Sequence, residues 1–220
     1  MFFYESFADD FDSRVNMYDT EKRLAVVYHE MMPESIRGKR LLDAGSGTGW
    51  FSKAASERGA AVTSLDLGAG LLRQVRRKCD STCVVGSIME LPFPDGCFDV
   101  VVSSEVIEHI PDPLLGVAEL YRVLSPGGVL VLTTPNKLWY FSVWLANGLK
   151  LRPYQGLENW VSRRTLVRSA RGLGFRVEKI VGIHLVPFVL PQLHPVLDWF
   201  HQYNGLLGPL MVNTAIRCRK

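Results

Sequence analysis

Short apolar runs alternate with amphipathic segments along most of this chain. The apolar runs are typical of strands, whereas in the amphipathic segments apolar residues recur every three or four positions, as on one face of a helix. We predict strands at Arg40–Ala44, 61–67, Thr82–Val85, 98–103, 129–134, 175–181 and Asn213–Arg219. We predict helices at 49–58 and 70–78, directly after Asp112, and at 162–172. With right-handed crossovers, this alternation produces an α/β fold with a doubly wound, mostly parallel, seven-stranded sheet.

The helix after Asp112 has clear start and stop signals. Asp112 is a good N-cap, Pro113 suits the first helical turn, and the sequence Pro-Gly-Gly at 126–128 prevents the helix from continuing. We predict that this helix turns five side chains toward the core: Leu114, Leu115, Ala118, Tyr121 and Leu124.

Two regions fall outside the alternation. Residues 1–30 are helix-like and precede the first strand, which favours a lid over the ligand-binding edge of the sheet. Residues 138–149 form an apolar, aromatic insertion after the fifth strand, flanked by Lys137, Lys150 and Arg152. This insertion is either a substrate-pocket wall, a core helix, or a face that contacts a membrane surface. Residues 182–200 are predicted to form the opposite wall of the pocket.

The composition excludes several classes of protein. The chain has 220 residues, of which 47% are hydrophobic and 21% are charged, so it can build one core and is not intrinsically disordered. Its four cysteines form no disulfide framework and lack the partners of a zinc site, so we expect reduced thiols. The first residues do not resemble a secretory signal, and no run reaches the ~18 apolar residues of a membrane span. We therefore expect a cytoplasmic protein.

The charge balance gives little indication of a charged partner. The chain carries 25 Lys and Arg against 22 Asp and Glu, a net charge of +3. Arg73, Arg76 and Arg77 share one helix face, but a run of this kind is usually solvated. We therefore expect no nucleic-acid partner.

The strongest chemical signal is the turn at 43–49, with the sequence DAGSGTG, which joins the first strand to a helix. Its glycines permit a tight turn and let a ligand approach the backbone, and the helix N-terminus offers N–H groups. Asp43 places a carboxylate where an ammonium group could be held. Asp66 ends the second strand, where a carboxylate can accept both hydroxyls of a ribose. The spacing is not the G-x-G-x-x-G of dinucleotide-binding proteins, because Trp50 stands where the third glycine would be.

Several segments together resemble the class I S-adenosylmethionine-dependent methyltransferases. They are 43–49, Asp66, 86–93, 98–99, 105–109 and 124–128, and the similarity covers residues 41–134. Within this family the chain most resembles the ubiquinone-biosynthesis O-methyltransferases. The features that carry this likeness are SEVIEH at 104–109, TPN at 134–136 before the aromatic insertion, and GIH at 182–184. The resemblance implies a Rossmann-like fold with S-adenosyl-L-methionine as the cofactor. It divides a single methyltransferase domain, 1–220, into an N-terminal helical lid (1–36), a cofactor-binding core (37–136) and a substrate side (137–220).

The resemblance also implies roles for individual residues. The methionine portion and the ribose would lie against Gly45 and Gly47, Asp66 would bind the ribose hydroxyls, and Leu67 would pack on the adenine. The family usually has an acid at the position of Ser87, whose hydroxyl accepts a hydrogen bond more weakly, at about 1 kcal/mol net. The implied cofactor-binding residues are Asp43, Gly45, Gly47, Gly49, Asp66, Leu67, Ser87, Ile88 and Ser104.

Glu105, Glu108 and His109 follow the fourth strand at a spacing that places them on one face of a helix. They could bind Mg²⁺, Mn²⁺ or Zn²⁺, since a metal has been associated with this motif in the ubiquinone family. Alternatively, His109 is a general base, or the group only braces a loop. We expect the bracing role and assign no metal ligand. If one of these residues does act in catalysis, His109 is the candidate, because a phenol with a pKa near ~10 must lose its proton.

These observations predict an enzyme that methylates a hydrophobic small molecule, most simply at the oxygen of a phenol- or quinone-like acceptor. A carbon or nitrogen acceptor stays open. Two alternatives are a non-enzymatic module that only binds S-adenosylmethionine and, less favoured because of Trp50, an NAD-dependent oxidoreductase.

Overall fold

The computed structural model describes residues 11–143, 156–186 and 194–220. The strands are β1 (Arg40–Ala44), β2 (Ala61–Asp66), β3 (Thr82–Val85), β4 (Phe98–Ser104), β5 (Leu124–Pro135), β6 (Arg176–Ile183) and β7 (Asn213–Arg219). They form one sheet in the order β3-β2-β1-β4-β5-β7-β6, in which β7 is antiparallel to both of its neighbours and the other pairs are parallel. The predicted doubly wound, mostly parallel sheet is confirmed.

Helices connect the strands and cover both faces of the sheet. They are α1 (Phe11–Arg14), α2 (Met17–Ala25), α3 (Trp50–Glu57), α4 (Ala69–Lys78), α5 (Pro113–Val123), α6 (Arg163–Gly172), α7 (His194–Phe200) and α8 (Asn204–Leu207). A π-helical turn, Val26–Met31, continues α2. Short 3-10 turns lie at Ile107–His109, Lys137–Trp139, His201–Tyr203 and Gly208–Leu210. Of the helices in the described ranges, none is long and apolar enough to cross a bilayer.

The central strands are buried on both faces, which explains why they read as continuous apolar runs. Leu42, Val101 and Leu130 belong to one core cluster, whereas their chain neighbours Leu41 and Val100 belong to the cluster on the other face. Successive side chains of a strand point to opposite faces, so both neighbours can be apolar only where both faces are covered.

The predicted inner face of α5 is wrong for most of its residues. Leu115 is 45% exposed, and Leu114, Ala118 and Tyr121 are only partly buried. Leu124 is fully buried in the core, as predicted, but it already belongs to β5. The helix instead buries five other residues: Pro113, Gly116, Val117, Leu120 and Val123. The glycine lets Ile110 pack closely against the helix, since a Cβ on Gly116 would lie 2.7 Å from Ile110 Cδ1.

The N-terminal segment is partly lid and partly core. Val27 and Met31 are fully buried in the cluster that also contains residues of β1 and β4, so the π-helical turn is part of the core and does not cover the ligand edge. Only the stretch before it reaches the carboxyl ends of the strands. Much of the two predicted pocket walls, 144–149 and 187–193, lies outside the described residues.

Candidate cofactor site and active site

The glycine-rich turn leaves β1 and opens α3. Gly45 has φ +81°, and its N–H donates to the Leu65 carbonyl at 2.8 Å. A Cβ on Gly45 would collide with the side chain of Val106, so only glycine fits. Gly47 also has a positive φ, +53°, but no atom lies within 4 Å of where its Cβ would be. The turn is therefore packed against protein at Gly45 and open at Gly47. Gly49, at φ +90°, caps α3 in the left-handed region.

Asp66 holds this turn in place from the end of β2. Its Oδ2 accepts from the Gly47 N–H at 2.8 Å, and its Oδ1 accepts from the Gly68 N–H at 2.9 Å. A carboxylate oxygen has two acceptor positions, so these two backbone bonds do not by themselves exclude a bond from a ribose hydroxyl. The adjacent Leu67 exposes 47% of its surface, as a residue that packs on a ligand ring must before the ligand binds.

Asp43 lies beneath the turn, whereas the resemblance implies a place beside the ligand. It is 1% exposed, and its Oδ2 accepts from the Ser52 hydroxyl at 2.6 Å. Burial raises the pKa of Asp43 to about 7, against a smaller opposing effect of Ser52. Its carboxylate contacts α3 through Ser52, so contact with an ammonium group stays a prediction.

The loop after β3 carries the two residues that are expected to border the adenine, Ser87 and Ile88. Ser87 Oγ accepts from the Met89 N–H at 3.1 Å, so this hydroxyl also closes a local turn. Ile88 is only 3% exposed and packs in the core, below Gly116. The Ile88 side chain therefore packs toward the core, and a contact of this residue with the adenine stays a prediction.

The N-terminal segment closes over the turn through Asp12. The Asp12 carboxylate accepts from Thr48 Oγ1 at 2.5 Å and from Trp50 Nε1 at 3.1 Å, and it forms an ion pair of 2.5 Å with Lys78 Nζ. Although burial alone would raise the pKa of Asp12, Lys78 and Thr48 hold it below its ordinary value. The ammonium of Lys78 also lies 4.5 Å from the centre of the Trp50 ring. The Asp12 carboxylate therefore connects α1 to both α3 and α4.

A second contact of the N-terminal segment lies at the end of β4. Arg23 Nη1 donates to Ser104 Oγ at 2.9 Å, and Arg23 Nε donates to Asp19 Oδ2 at 2.8 Å. His184, just past β6, lies with Nε2 3.1 Å from the other oxygen of Asp19. Burial alone would lower the pKa of Arg23, but Asp19 and Glu105 raise it. Ser104 therefore meets α2 through its side chain, and its predicted cofactor contact would fall to its backbone.

Two buried carboxyl groups lie at the same edge. Glu105 Oε1 accepts from Thr133 Oγ1 at 2.8 Å, and its Oε2 accepts from Asn213 Nδ2 at 2.7 Å. Glu108 Oε2 accepts from Thr134 Oγ1 at 3.2 Å. Burial raises the pKa of Glu105 to about 7, and burial together with Glu105 raises the pKa of Glu108 further. These acids form a polar cluster over the ends of β4, β5 and β7.

The predicted shared helix face of Glu105, Glu108 and His109 is wrong. Glu105 has a left-handed φ of +56°, and the helical turn begins only at Ile107. The His109 Nδ1 is 3.1 Å from the Leu157 carbonyl oxygen, and its Nε2 is 4.0 Å from Glu108 Oε1. A carbonyl only accepts, so Nδ1 carries the proton and Nε2 is the basic nitrogen of the neutral ring. In the described ranges, no three His, Cys, Asp or Glu residues are grouped as metal ligands.

Arg23, Asp12 and Asn213 are site residues that sequence reasoning missed. Asp19 and Arg23 stand at i, i+4, a spacing typical of a helical ion pair. Nothing local indicates that Arg23 also reaches Ser104, because these residues are 81 positions apart. Asn213 opens β7, and its place beside Glu105 follows only from the strand order.

Comparisons with known proteins agree with this geometry. Residues 42–132 match the family described as methyltransferase domain. A Pseudomonas aeruginosa protein named ubiquinone biosynthesis O-methyltransferase is 32% identical over 165 residues, which cover 69% of this chain and 71% of that protein. A Serratia marcescens malonyl-[acyl-carrier protein] O-methyltransferase is 44% identical over 104 residues, or 47% of this chain. The chain spans 41% of the Serratia protein and 65% of a Psychrobacter arcticus ubiquinone biosynthesis O-methyltransferase, less than two thirds of either.

Solved structures show the same fold. An S-adenosylmethionine-dependent methyltransferase from Thermotoga maritima superposes with a TM-score of 0.73 at 18% identity, over 99% of this chain and 98% of that one. One from Mesorhizobium loti has a TM-score of 0.67 at 21% identity, over 87% and 95%. Three observations indicate the same family: the sheet order, the glycine-rich turn held by Asp66, and the relative with 32% identity. The chain therefore belongs to the class I S-adenosylmethionine-dependent methyltransferases.

Proposed function

We propose that this chain transfers a methyl group from S-adenosyl-L-methionine to an oxygen of a hydrophobic, phenol- or quinone-like small molecule. The observation that carries the proposal is the turn in which Asp66 fixes Gly47 while Gly47 itself faces open space. Leu67 offers an apolar surface beside it. A nucleoside with a charged amino-acid tail fits these features, with its ribose on Asp66 and its ring on Leu67.

The cofactor supplies an electrophilic methyl group, so the protein must chiefly align the acceptor and remove its proton. Alignment of two reactants can lower a barrier by ~7–11 kcal/mol. In the proposal, His109 Nε2 takes the proton, because its Nδ1 is held by the Leu157 carbonyl. Glu108 Oε1 lies 4.0 Å from this nitrogen.

A hydrophobic acceptor is supported by the side chains that surround this edge of the sheet. Leu138 and Phe141, just after β5, are both exposed, and so is Leu210, just before β7. The Trp139 Nε1 donates to the Leu210 carbonyl at 2.8 Å and joins these two segments. A relative named ubiquinone biosynthesis O-methyltransferase points to the same acceptor class. A cytoplasmic location belongs to the proposal as well.

The test is a transfer assay with methyl-labelled cofactor and a panel of acceptors that differ in one property. The panel contains an alkylated catechol, its doubly O-methylated counterpart, a short polar phenol and a primary amine with the same alkyl tail. We expect label only in the alkylated catechol, with loss of signal when both oxygens are blocked. Label in the amine would contradict O-methylation. Cofactor binding without label in any acceptor would favour the non-enzymatic module.

A further inference from the structure

Helix α6 presents a row of arginines to solvent. Arg164, Arg168 and Arg171 are exposed and stand four and three positions apart, so they lie along one side of the helix. Between Glu158 and Glu178 the sequence contains no acidic residue but five arginines: Arg163, Arg164, Arg168, Arg171 and Arg176. Like charges one turn apart repel each other, so this row costs stability in the isolated chain.

The row borders an open groove of about 850 Å³. Val167 of α6 and Ile180 of β6 line it together with Leu138 and Pro209, which gives the groove an apolar lining. Five cationic side chains surround that lining, and none of the described residues along it is acidic: Lys137, Arg163, Arg164, Arg168 and Arg171.

These cations differ from most arginines elsewhere in the molecule. Arg217 and Arg219 form ion pairs with Glu178, and Arg122 forms ion pairs with Glu119 and Asp95. Within the described ranges, by contrast, the five cations of the groove have no ion pair and no side-chain hydrogen bond. Among the described residues, therefore, none compensates their positive charge, and the apolar lining beside them is open.

We propose that this groove docks an acidic amphipathic helix of a partner protein. Arg164 and Arg171 are seven residues apart, or about 10 Å along the helix axis at ~1.5 Å per residue. Carboxylates spaced four and three residues apart on an opposing helix repeat at the same distances and can meet all three arginines. Apolar residues of that helix would cover Val167 and Ile180.

The shape of the surface favours a helix over other anions. A bilayer is flat and would leave a concave lining uncovered, and one phosphate group would meet only a short part of the arginine row. Exposed ion pairs contribute little affinity each, but together they set the orientation and the association rate. Binding should therefore weaken as ionic strength rises, since salt screens exposed charges.

The experiment uses the full chain and a fluorescent helical peptide with glutamates spaced four and three along one face and leucines beside them. We expect binding at low salt, weakened roughly 10- to 100-fold in the triple variant Arg164→Glu, Arg168→Glu, Arg171→Glu. The matched control is Arg73→Glu, Arg76→Glu, Arg77→Glu on α4, beside the opposite end of the sheet. It has the same charge change and should bind like the wild type. A peptide with lysines in place of the glutamates should bind the α6 variant.

Equal weakening by both triple variants would overturn the proposal, because it would show only nonspecific attraction to net charge. The proposal would also be overturned by a second result. In that result the wild-type chain does not bind the glutamate peptide, but it binds phosphatidylglycerol vesicles or heparin through the α6 arginines. This inference goes beyond the proposed function. Binding of S-adenosylhomocysteine, measured in the same α6 variant, should be unchanged, so the two proposals can fail separately.

Discussion

Arg23 and Ser104 are joined by a hydrogen bond of 2.9 Å, although they lie 81 positions apart in the chain. The bond fastens α2 over the end of β4, where Ser104 also contacts the Thr133 hydroxyl at 2.8 Å. Asp12 makes the corresponding contact over the glycine-rich turn. The N-terminal segment thus bridges the two parts of the site, the cofactor turn and the buried acids.

Replacing Arg23 should destabilise the fold, because its partner Asp19 is buried. Arg23→Met keeps the packing but removes the charge next to Asp19, and removal of one partner of a buried pair costs ~3–5 kcal/mol. Both side chains keep slight exposure, 13% and 12%, so we expect the lower end, about 3 kcal/mol, by urea unfolding. The control is Lys22→Met, whose partner Asp198 is 46% exposed and whose loss should cost under ~1 kcal/mol. Equal losses of stability in the two variants would contradict this structural role of Arg23.

Gly45 and Gly47 should respond differently to alanine. Both substitutions place a Cβ at a positive φ, which costs about 1 kcal/mol. Gly45→Ala additionally forces the new Cβ against Val106, so its melting temperature should fall further. Gly47→Ala meets no protein atom and should mainly weaken cofactor binding. Calorimetry of binding and thermal unfolding of both variants separate the two effects. A larger loss of stability in Gly47→Ala would contradict the assignment of its open side to the ligand.

Asp43 should make stability depend on pH. Its folded pKa is about 7 against an ordinary value of 3.8, so the folded protein holds a proton that the unfolded chain has lost. Stability should therefore fall as the pH rises from about 4 to about 7, and level off above that window. Because the raised pKa values of Glu105 and Glu108 give a slope of the same sign, Asp43→Asn should reduce this slope without removing it, and should raise the unfolding free energy at pH 8 by on the order of 2–4 kcal/mol. A variant with an unchanged slope would show that Asp43 is not the group responsible.

His109→Ala should slow methyl transfer without changing cofactor affinity. A general base contributes ~10²–10⁴ in rate, and the loss should shrink as the pH approaches the pKa of the phenol, which then ionises unaided. The pH profile of kcat in His109→Ala and His109→Gln measures this. A loss of the same size at every pH, accompanied by a lower melting temperature, would indicate the bracing role that the sequence favoured.

The sequence predicts the sheet well because its signals are local. Strands that are buried on both faces appear in the sequence as apolar runs. Asp112, followed by Pro113, marks the start of α5 as predicted. The buried face of α5 could not be predicted from its largest apolar side chains, since Gly116 is buried whereas Leu115 is 45% exposed.

The site is predictable where it follows a strand end and not where distant segments meet. Asp66 and the glycine-rich turn lie at the carboxyl edge, as any parallel sheet requires. The helical spacing of Glu105 and Glu108 was misleading, because Glu105 adopts a left-handed backbone and bonds to Thr133 and Asn213. Such contacts depend on tertiary packing, which one-dimensional spacing does not contain.

Calorimetric titration with S-adenosylhomocysteine, on the wild-type chain and on Asp66→Ala, tests the central claim most directly. We predict that the wild type binds it and does not bind NAD. Asp66→Ala should bind it ~1.5–3 kcal/mol more weakly, through loss of charge-assisted bonds to the ribose. Thermal unfolding of the ligand-free variant shows how much of that loss comes from a looser turn at Gly47 and Gly68. Unchanged affinity in a folded Asp66→Ala variant, or tighter binding of NAD by the wild type, would contradict the account.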